Sequence, residues 1–326
     1  MLIVWFIALA AGLALLVWSA DKFTETAEKV GTVMKIPSFI IGVTIVSIGT
    51  SLPELITSMI AVFSSEEASQ IVIGDVMGSN IFNILIVIGV AVLVIRKPLS
   101  VKRSLIDLDL PLLALATALL TLIILDGKVV FWEGIILIIG FVVYLRYTMS
   151  PHAREKVPVE EAGQVKEKDI DTKPEVKRVA LKLLALMVLY GFLIFVGAKL
   201  AVEAVLNVST ILNIASSIIA VSAVAIGTSL PELVVSIQAA RRKNYDIAIG
   251  NVLGSCIFNI LIVVGLPALV GTLLVPDLII GLVLPFFIAA TVLFIISGIT
   301  RRIHMFEGAF YVLIYVVFMA KLLNLF

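Results

Sequence analysis

The sequence contains few of the residues on which most water-soluble domains depend. Only 14% of its 326 residues are charged, whereas 61% are hydrophobic and the mean hydropathy is +1.19; soluble domains average about 25% charged residues. A single cysteine, Cys256, excludes an internal disulfide and is expected to be a small buried apolar residue. The two histidines, His152 and His304, are expected to be solvated, which leaves no ligand set for zinc or copper. The net charge of +1 gives no indication of a nucleic-acid partner, and we expect no cofactor or protein partner.

The sequence does contain a series of long apolar runs. Runs of about 20 residues match a hydrocarbon core about 30 Å thick, so we predict an all-α integral membrane protein with ten transmembrane helices. The first run has no basic n-region or cleavage signal and is predicted to be a retained helix. The predicted spans are residues 2–20, 38–62, 71–95, 110–126, 129–147, 179–199, 211–239, 247–271, 278–297 and 308–325.

Basic residues alternate between the connections that join these spans. The connections after spans one, three, five, seven and nine hold 21 of the 24 Lys and Arg residues, and the opposite set holds only Lys128, Lys199 and Lys321. The positive-inside rule therefore predicts a multi-pass protein of the cell membrane with cytoplasmic odd-numbered connections and both termini outside.

Two motifs occur twice in the chain. The first, VSIGTSLPEL at 46–55, returns as VAIGTSLPEL at 224–233. The second, GDVMGSNIFNILIVIG at 74–89, returns as GNVLGSCIFNILIVVG at 250–265. Each copy belongs to a set of five predicted spans, and an odd number reverses the orientation of the second set. We therefore predict two inverted five-helix repeats, residues 1–147 and 179–326, joined by a flexible cytoplasmic linker, residues 148–178.

Each copy of the first motif places one glutamate, Glu54 or Glu232, deep in an apolar segment. In a soluble chain the sequence Ser-Leu-Pro-Glu would indicate a capping box at a helix start. In a membrane span an ionisable group costs about 3 kcal/mol or more and usually marks an ion pathway. Pro53 and Pro231 are predicted to break or kink the helices beside these glutamates and to free backbone carbonyls.

Neutral oxygen donors accompany the two glutamates. Oxygen-only ligation suits Ca²⁺ and, with fewer charges, Na⁺, and two carboxylates neutralise one Ca²⁺. Asp75, whose counterpart is Asn251, has two interpretations: a cation attractor in an outer vestibule, or a structural residue at a helix start. The candidate neutral donors are Thr50, Ser51, Thr228 and Ser229 in the first motif, and Ser79, Asn83, Ser255 and Asn259 in the second.

These doubled motifs resemble the alpha-repeats of the cation/Ca²⁺ exchanger superfamily, most closely its prokaryotic Na⁺/Ca²⁺ exchanger branch. The resemblance covers both halves and implies a ten-helix antiporter with a four-helix core, across which the first and sixth helices slide. The ligands it implies are Thr50, Ser51, Glu54, Ser79, Asn83, Thr228, Ser229, Glu232 and Ser255, with the backbone carbonyls of Ser47 and Ala225.

The chain departs from this pattern at Asn259, where many relatives carry an aspartate. The site then holds two formal charges instead of three, which argues against K⁺ co-transport and leaves the stoichiometry open. The sequence of the glutamate motif differs from the one typical of the proton-coupled branch of the superfamily, which favours Na⁺ over H⁺ as the counter-ion.

Four functions could use a pair of glutamates buried in membrane spans. The leading hypothesis is a Ca²⁺/cation antiporter driven by Na⁺ through alternating access. In a H⁺/Ca²⁺ antiporter, protonation of Glu54 and Glu232 would replace Na⁺, whereas a cation channel would pass Ca²⁺ with no ion on the other side. An intramembrane enzyme would need a reacting group or nucleophile beside its paired carboxylates, and the sequence suggests none.

Overall fold

The computed structural model describes residues 2–34, 36–64, 66–100, 109–150, 174–211, 216–323 and 325, and most of them are helical. The α-helices are α1 (Leu2–Met34), α2 (Ser38–Ile41), α3 (Ser47–Thr50), α4 (Leu52–Ser64), α5 (Glu66–Phe82), α6 (Gly89–Ile95), α7 (Asp109–Ile124), α8 (Phe131–Thr148), α9 (Pro174–Ile211), α10 (Ser216–Arg241), α11 (Tyr245–Phe258), α12 (Gly265–Ala268), α13 (Leu284–Ile299) and α14 (Met305–Leu322). The π-helical turns are Gly42–Val46, Asn83–Ile88, Asn259–Val263 and Ile279–Val283. The strands are β1 (Leu99–Ser100), β2 (Lys128–Val129), β3 (Leu273–Leu274) and β4 (Arg302–Ile303).

The helices confirm a mostly helical, multi-pass membrane protein. Within the described ranges, seven helices are long and apolar enough to cross a membrane, and the bent pair Ser38–Thr50 and Leu52–Phe63 makes an eighth if it is one span. The shorter apolar helix α7 and helix α10 overlap the fourth and seventh predicted spans. Large apolar side chains such as Trp132 and Phe306 point outward, as expected for a surface in lipid. The count of ten spans stays a prediction.

The two longest helices, α1 and α9, pack against each other with their backbones in direct contact. A Cβ atom placed on Gly12 would lie 2.8 Å from the Ala201 nitrogen, and one on Gly197 would lie 2.7 Å from the Leu16 nitrogen. Because any side chain at these glycines would collide with the neighbouring backbone, only glycine permits this approach. Helices α1 and α9 therefore form a tightly joined pair.

Two short strand pairs connect the halves reciprocally. Strand β1 pairs antiparallel with β4, and β2 pairs antiparallel with β3. By sequence position, β3 is the counterpart of β1 and β4 is the counterpart of β2. Two halves related by a two-fold axis would give this exchange of partners, although the inverted orientation itself stays a prediction.

Two helices differ from their predicted boundaries, and the sequence also predicts the surroundings of three single residues. Helix α1 continues to Met34, well beyond the predicted span 2–20. Helix α9 begins at Pro174, so residues 174–178 of the predicted linker are helical; proline suits a first turn, where its missing N–H has no helical acceptor. His152 lies outside the described residues, whereas His304 is exposed as predicted. Cys256 is a free, fully buried thiol, as predicted.

Candidate cation site

Glu54, the glutamate in the first copy of the first motif, lies just after a bend in its span. Ser51 leaves the helical conformation, with φ −93° and ψ 6°, and the flanking helices are bent by 41°. Pro53 cannot donate to the carbonyl four residues earlier, at Gly49, which weakens the helix at this point. Glu54 is fully buried, and neither of its carboxylate oxygens has a hydrogen-bond partner. The capping box that a soluble helix would form here is therefore absent.

Glu232, the glutamate in the second copy of the first motif, lies in a continuous helix. Helix α10 contains Pro231 without interruption, so the break predicted for this copy does not occur. Glu232 is also fully buried; its Oε1 accepts hydrogen bonds from Ser51 Oγ at 2.8 Å and from Ser255 Oγ at 3.5 Å. Its Oε2 has no partner. Ser51 therefore brings the first copy of the motif into contact with the glutamate of the second copy.

Several of the predicted neutral donors are buried without hydrogen-bond partners. This is true of Ser79 Oγ, Ser229 Oγ and both polar side-chain atoms of Asn83. Asn259 donates through Nδ2 to Asn80 Oδ1 at 3.3 Å, which leaves its own Oδ1 unpartnered. Buried polar atoms in proteins are nearly always hydrogen-bonded. This concentration of unpartnered oxygens fits residues that supply ligands to a cation.

The two asparagines of the second motif open the same local distortion in both halves. Asn83 begins the π-helical turn Asn83–Ile88, and Asn259 begins the turn Asn259–Val263. Single π-helical turns are rare and occur frequently at functional sites. Each copy of the second motif therefore provides a π-helical turn as well as an asparagine amide.

The threonines of the first motif each contact the second motif of the other half. Thr50 Oγ1 donates to Asn251 Oδ1 at 3.2 Å. Its counterpart Thr228 interacts with the Asp75 carboxylate. Asp75 is buried and lies well inside α5, which begins at Glu66, so the helix-start interpretation is wrong.

The backbone carbonyls predicted as ligands are only partly described. The Ser47 carbonyl keeps its helical hydrogen bond from Ser51 N at 3.0 Å, so the bend does not free it. Thr50 Oγ1 also lies 3.2 Å from this carbonyl, but its single proton is shared with Asn251 Oδ1. The carbonyl that loses its usual helical donor is that of Gly49, because proline stands four residues later. Ala225 lies in α10, of which only the helical backbone is described at this position.

Like charges meet at the site. The negative charges of Glu232 and Asp75 both act on Glu54. In the part of the chain that the structure describes, no three Asp, Glu, His or Cys side chains are grouped closely enough to share one metal ion. A cation here would therefore be held by the two glutamates with neutral oxygens.

A small cavity borders the site where α1 and α9 meet the two motif helices. Both motif prolines, Pro53 and Pro231, contribute to its wall together with Thr50. The other lining residues are Phe23, Gly49, Gly191, Ile194 and Phe195. The cavity therefore connects the tightly joined helix pair to the residues around the glutamates.

Three buried polar residues at the site were not among the predicted site residues. Asn80 Nδ2 donates to the Cys256 carbonyl at 3.1 Å and so ties the two copies of the second motif together. Asn251 Nδ2 donates to Ser236 Oγ at 3.0 Å. The available signal was the difference between the copies, because Asn80 has Cys256 and Asn251 has Asp75 as its counterpart.

A family model described as sodium/calcium exchanger protein matches residues 4–149 and 182–323. The chain belongs to this family. It is 35% identical over 269 residues to the inner membrane protein YrbG of Escherichia coli (strain K12), covering 80% of this chain and 78% of that protein. It is 31% identical over 353 aligned positions to the sodium/calcium exchanger MaX1 of Methanosarcina acetivorans, covering 99% of both.

Solved structures give the same assignment. The sodium-calcium exchanger NCX_Mj soaked with 10 mM Na⁺ and zero Ca²⁺ matches with a TM-score of 0.81 and 28% identity, covering 99% of this chain and 100% of that one. These matches confirm the predicted superfamily. The protein is accordingly a membrane antiporter of the exchanger type and not an enzyme.

Proposed function

We propose that this protein exchanges Ca²⁺ for Na⁺ across the cell membrane at a single site that opens alternately to each side. The observation that carries the proposal is the pair Glu54 and Glu232, both fully buried, with three of their four carboxylate oxygens lacking partners. Uncompensated buried charge is strongly unfavourable, and one divalent cation would neutralise both groups. The names of the exchangers MaX1 and NCX_Mj, which this chain resembles over nearly its whole length, support the same ions.

The proposed ligands combine the two carboxylates with neutral oxygens from both halves. Hydroxyls and amides can hold Na⁺ after Ca²⁺ has left, because they satisfy a monovalent ion without adding charge. Ser51 supports the shared site, since its hydroxyl comes from one half and binds the glutamate of the other. The proposed neutral donors are Thr50, Ser51, Ser79, Asn83, Thr228, Ser229, Ser255 and Asn259, with the backbone carbonyls of Ser47 and Ala225.

Alternating access is supported by the helix pair α1 and α9. Their backbones touch at Gly12 and Gly197, so the two helices can shift together as one body. The cavity beside Thr50 lies between this pair and the motif helices. A sliding movement of the pair would change which side of the membrane reaches the glutamates.

The proposed topology has ten spans in two inverted repeats, with both termini outside and the 148–178 linker in the cytoplasm. It is tested with cysteines in a Cys256→Ala background. A Gly163→Cys variant is expected to resist an impermeant thiol reagent in intact cells, whereas a cysteine added after Phe326 is expected to react. Labelling at position 163 from outside would contradict the topology.

Transport is tested by measuring ⁴⁵Ca²⁺ uptake into proteoliposomes that contain the purified protein. An outward gradient of Na⁺, of K⁺ or of protons is imposed in turn, with the other two ions equal on both sides. We expect uptake with the Na⁺ gradient alone. Uptake that ignores Na⁺ and follows the pH gradient would identify a H⁺/Ca²⁺ antiporter, and uptake with no counter-ion would identify a channel.

A further inference from the structure

The two halves differ in charge at one pair of corresponding buried positions. In the second half the position is Asn251, and in the first half it is Asp75. Each lies on the helix that carries the second motif and contacts the motif threonine of the other half, Thr50 or Thr228. The sequence difference therefore places a carboxylate on one side of the site and an amide on the other.

The amide of Asn251 is fully used by its neighbours. Its Oδ1 accepts from Thr50 Oγ1 at 3.2 Å. Its Nδ2 donates to Ser236 Oγ at 3.0 Å and to the Glu232 carbonyl at 3.5 Å. Ser236 Oγ in turn lies 3.4 Å from the Ala248 carbonyl, to which it donates. This side of the site is a closed hydrogen-bond network.

The carboxylate of Asp75 is not satisfied in this way. Asp75 is 5% exposed and interacts with Thr228, but neither of its oxygens makes a hydrogen bond of normal geometry. Ser58, the sequence counterpart of Ser236, is 2% exposed and its hydroxyl also has no partner. A carboxylate has no N–H to donate, so it cannot rebuild the network that Asn251 makes.

We propose that Asp75, with the hydroxyls of Ser58 and Thr228, forms an additional Na⁺ position beside Glu54 and determines how strongly Na⁺ competes with Ca²⁺. The inference rests on the proposed Na⁺/Ca²⁺ exchange. One carboxylate with hydroxyl oxygens is a hard-oxygen set whose single charge matches a monovalent ion. Asp75 lies close enough to Glu54 for their carboxyl groups to interact electrostatically, so an ionised Glu54 would add to the attraction for a cation at Asp75.

Asp75 is not a third ligand of the divalent ion. Among the residues that the structure describes, three acidic side chains are nowhere grouped tightly enough for one metal ion. Asn259 is neutral and adds no charge at the divalent site. Asp75 instead supplies a third negative charge at a separate position. A substitution at Asp75 should therefore change the response to Na⁺ more than the response to Ca²⁺.

The experiment compares Asp75→Asn with the wild-type protein in proteoliposomes. Release of ⁴⁵Ca²⁺ is measured against Na⁺ concentration, and ⁴⁵Ca²⁺/Ca²⁺ exchange is measured against Ca²⁺ concentration without Na⁺. For Asp75→Asn we expect the half-maximal Na⁺ concentration to rise about fivefold or more and the half-maximal Ca²⁺ concentration to change less than about twofold. Equal shifts in both, or no shift for Na⁺, would overturn the proposal.

Two further variants distinguish a binding role from a structural one. Ser58→Ala removes one neutral oxygen and is expected to raise the half-maximal Na⁺ concentration about twofold, and it tests the position even if Asp75→Asn fails to fold. The double variant Asp75→Asn/Asn251→Asp has the wild-type total charge, but its carboxylate lies at the corresponding position of the second half. We expect that it does not recover the wild-type half-maximal Na⁺ concentration. Restoration would show that only total charge matters and would contradict the inference. A wild-type protein that ignores Na⁺ would instead contradict the proposed exchange itself.

Discussion

The two copies of the glutamate motif differ at one residue of ten, and yet they form different backbones. The first copy is bent by 41° before Glu54, whereas the second runs through Pro231 as a continuous helix. The differing residue is Ser47, for which the second copy has Ala225. Ser47 Oγ donates back to the Val43 carbonyl at 2.8 Å, a contact that often bends helices and that alanine cannot make.

The consequences for the two glutamates are unequal. Glu54 follows the bend and has no hydrogen-bond partner, whereas Glu232 receives hydroxyls from Ser51 and Ser255. The first copy therefore supplies both a free carboxylate and the serine that holds the other one. The duplicated sequence therefore gives two related halves whose glutamates have different surroundings.

Neutralising either glutamate should have the largest effect of any substitution that tests this division. Glu54→Gln or Glu232→Gln leaves a divalent ion half neutralised in a low-dielectric site, so we expect Ca²⁺ exchange to fall about 100-fold or more. Glu203→Gln, at an exposed position of α9, is the control and should exchange normally. Near-normal ⁴⁵Ca²⁺ uptake by either site variant would remove that glutamate from the site.

The thermal stability of the two glutamate variants is a second test of their unequal hydrogen bonding. Glu54→Gln loses no hydrogen bond, because Glu54 has none. Glu232→Gln keeps a carbonyl oxygen for Ser51 but gives up a charge-assisted bond. The apparent Tm of Glu54→Gln should therefore rise relative to that of Glu232→Gln, and the reverse order would contradict the unequal roles.

Packing between the halves is also unequal, and a matched pair of glycines tests it. A Cβ atom on Gly250 would lie 2.8 Å from the Phe39 carbonyl oxygen, whereas one on its counterpart Gly74 meets only the flexible end of Ile279 at 3.2 Å. We expect Gly250→Ala to destabilise the protein by about 1–3 kcal/mol because backbone has to move. Gly74→Ala should be neutral or slightly stabilising, since alanine favours the helix. Thermal unfolding of both variants in detergent measures the difference, and equal Tm values would contradict it.

Much of this arrangement could be predicted because membrane burial makes some residues conspicuous. A glutamate in an apolar span has few explanations, so the positions of Glu54 and Glu232 predict them as cation ligands, and the structure shows both fully buried. The neutral residues Asn80 and Ser236 were not predicted as site residues. A single amide or hydroxyl costs little free energy in a membrane helix, so its presence has many explanations. Only the fold brings Asn80 to the Cys256 carbonyl of the other half.

The boundaries and the bend could not be predicted for a different reason. Hydropathy ends the first span near residue 20, but the helix continues to Met34, and this extension buries Phe23, Ala27 and Val30. Glu25 adds ion pairs with Lys22 and Lys29 at 2.9 and 2.7 Å. Proline was expected to break or kink both motif helices. Only the first copy is interrupted, and the one residue that differs between the copies is Ser47, whose hydroxyl bonds back to the Val43 carbonyl.

The two asparagines of the second motif offer a smaller test. Asn83 has no hydrogen-bond partner, whereas Asn259 donates to Asn80 Oδ1 at 3.3 Å. Asn83→Asp should add a third charge at no cost in hydrogen bonds and, provided that it is ionised, raise Ca²⁺ affinity about tenfold. Asn259→Asp adds the same charge but places it against the Asn80 oxygen, so its gain should be smaller.

This pair of variants is read from the half-maximal Ca²⁺ concentration and from the Na⁺ dependence of exchange. Asn80→Asp is an informative companion, because it places a charge on the residue that connects the two copies. The expected order of Ca²⁺ affinity is Asn83→Asp above Asn259→Asp, and both above the wild-type protein. If Asn259→Asp binds Ca²⁺ more tightly than Asn83→Asp, the contact between residue 259 and Asn80 does not reduce the gain in Ca²⁺ affinity.

The smallest predicted effect comes from a charge cluster around Arg242. Arg242, in the turn after α10, donates from Nη2 and Nε to Asp21 Oδ1 at 2.7 and 3.0 Å and lies 3.8 Å from both Glu25 and Glu28. The corresponding position in the first half is Ser64, the last residue of α4, which carries no charge. The cluster therefore links α1 to the motif helix of the second half through a charge that the first half does not have at that position.

Because α1 is proposed to slide, this link should favour the arrangement in which it is formed. Partly exposed ion pairs contribute about 0.2–1 kcal/mol, so Arg242→Gln should change the half-maximal Ca²⁺ concentration about two- to fivefold, in opposite directions on the two sides of the membrane. Arg241→Gln removes the same charge from an exposed neighbour and should have little effect. Raising the ionic strength should weaken the difference, since salt screens exposed charges. An equal change on both sides, or the same change in Arg241→Gln, would mean that Arg242 acts through general charge and not by holding α1.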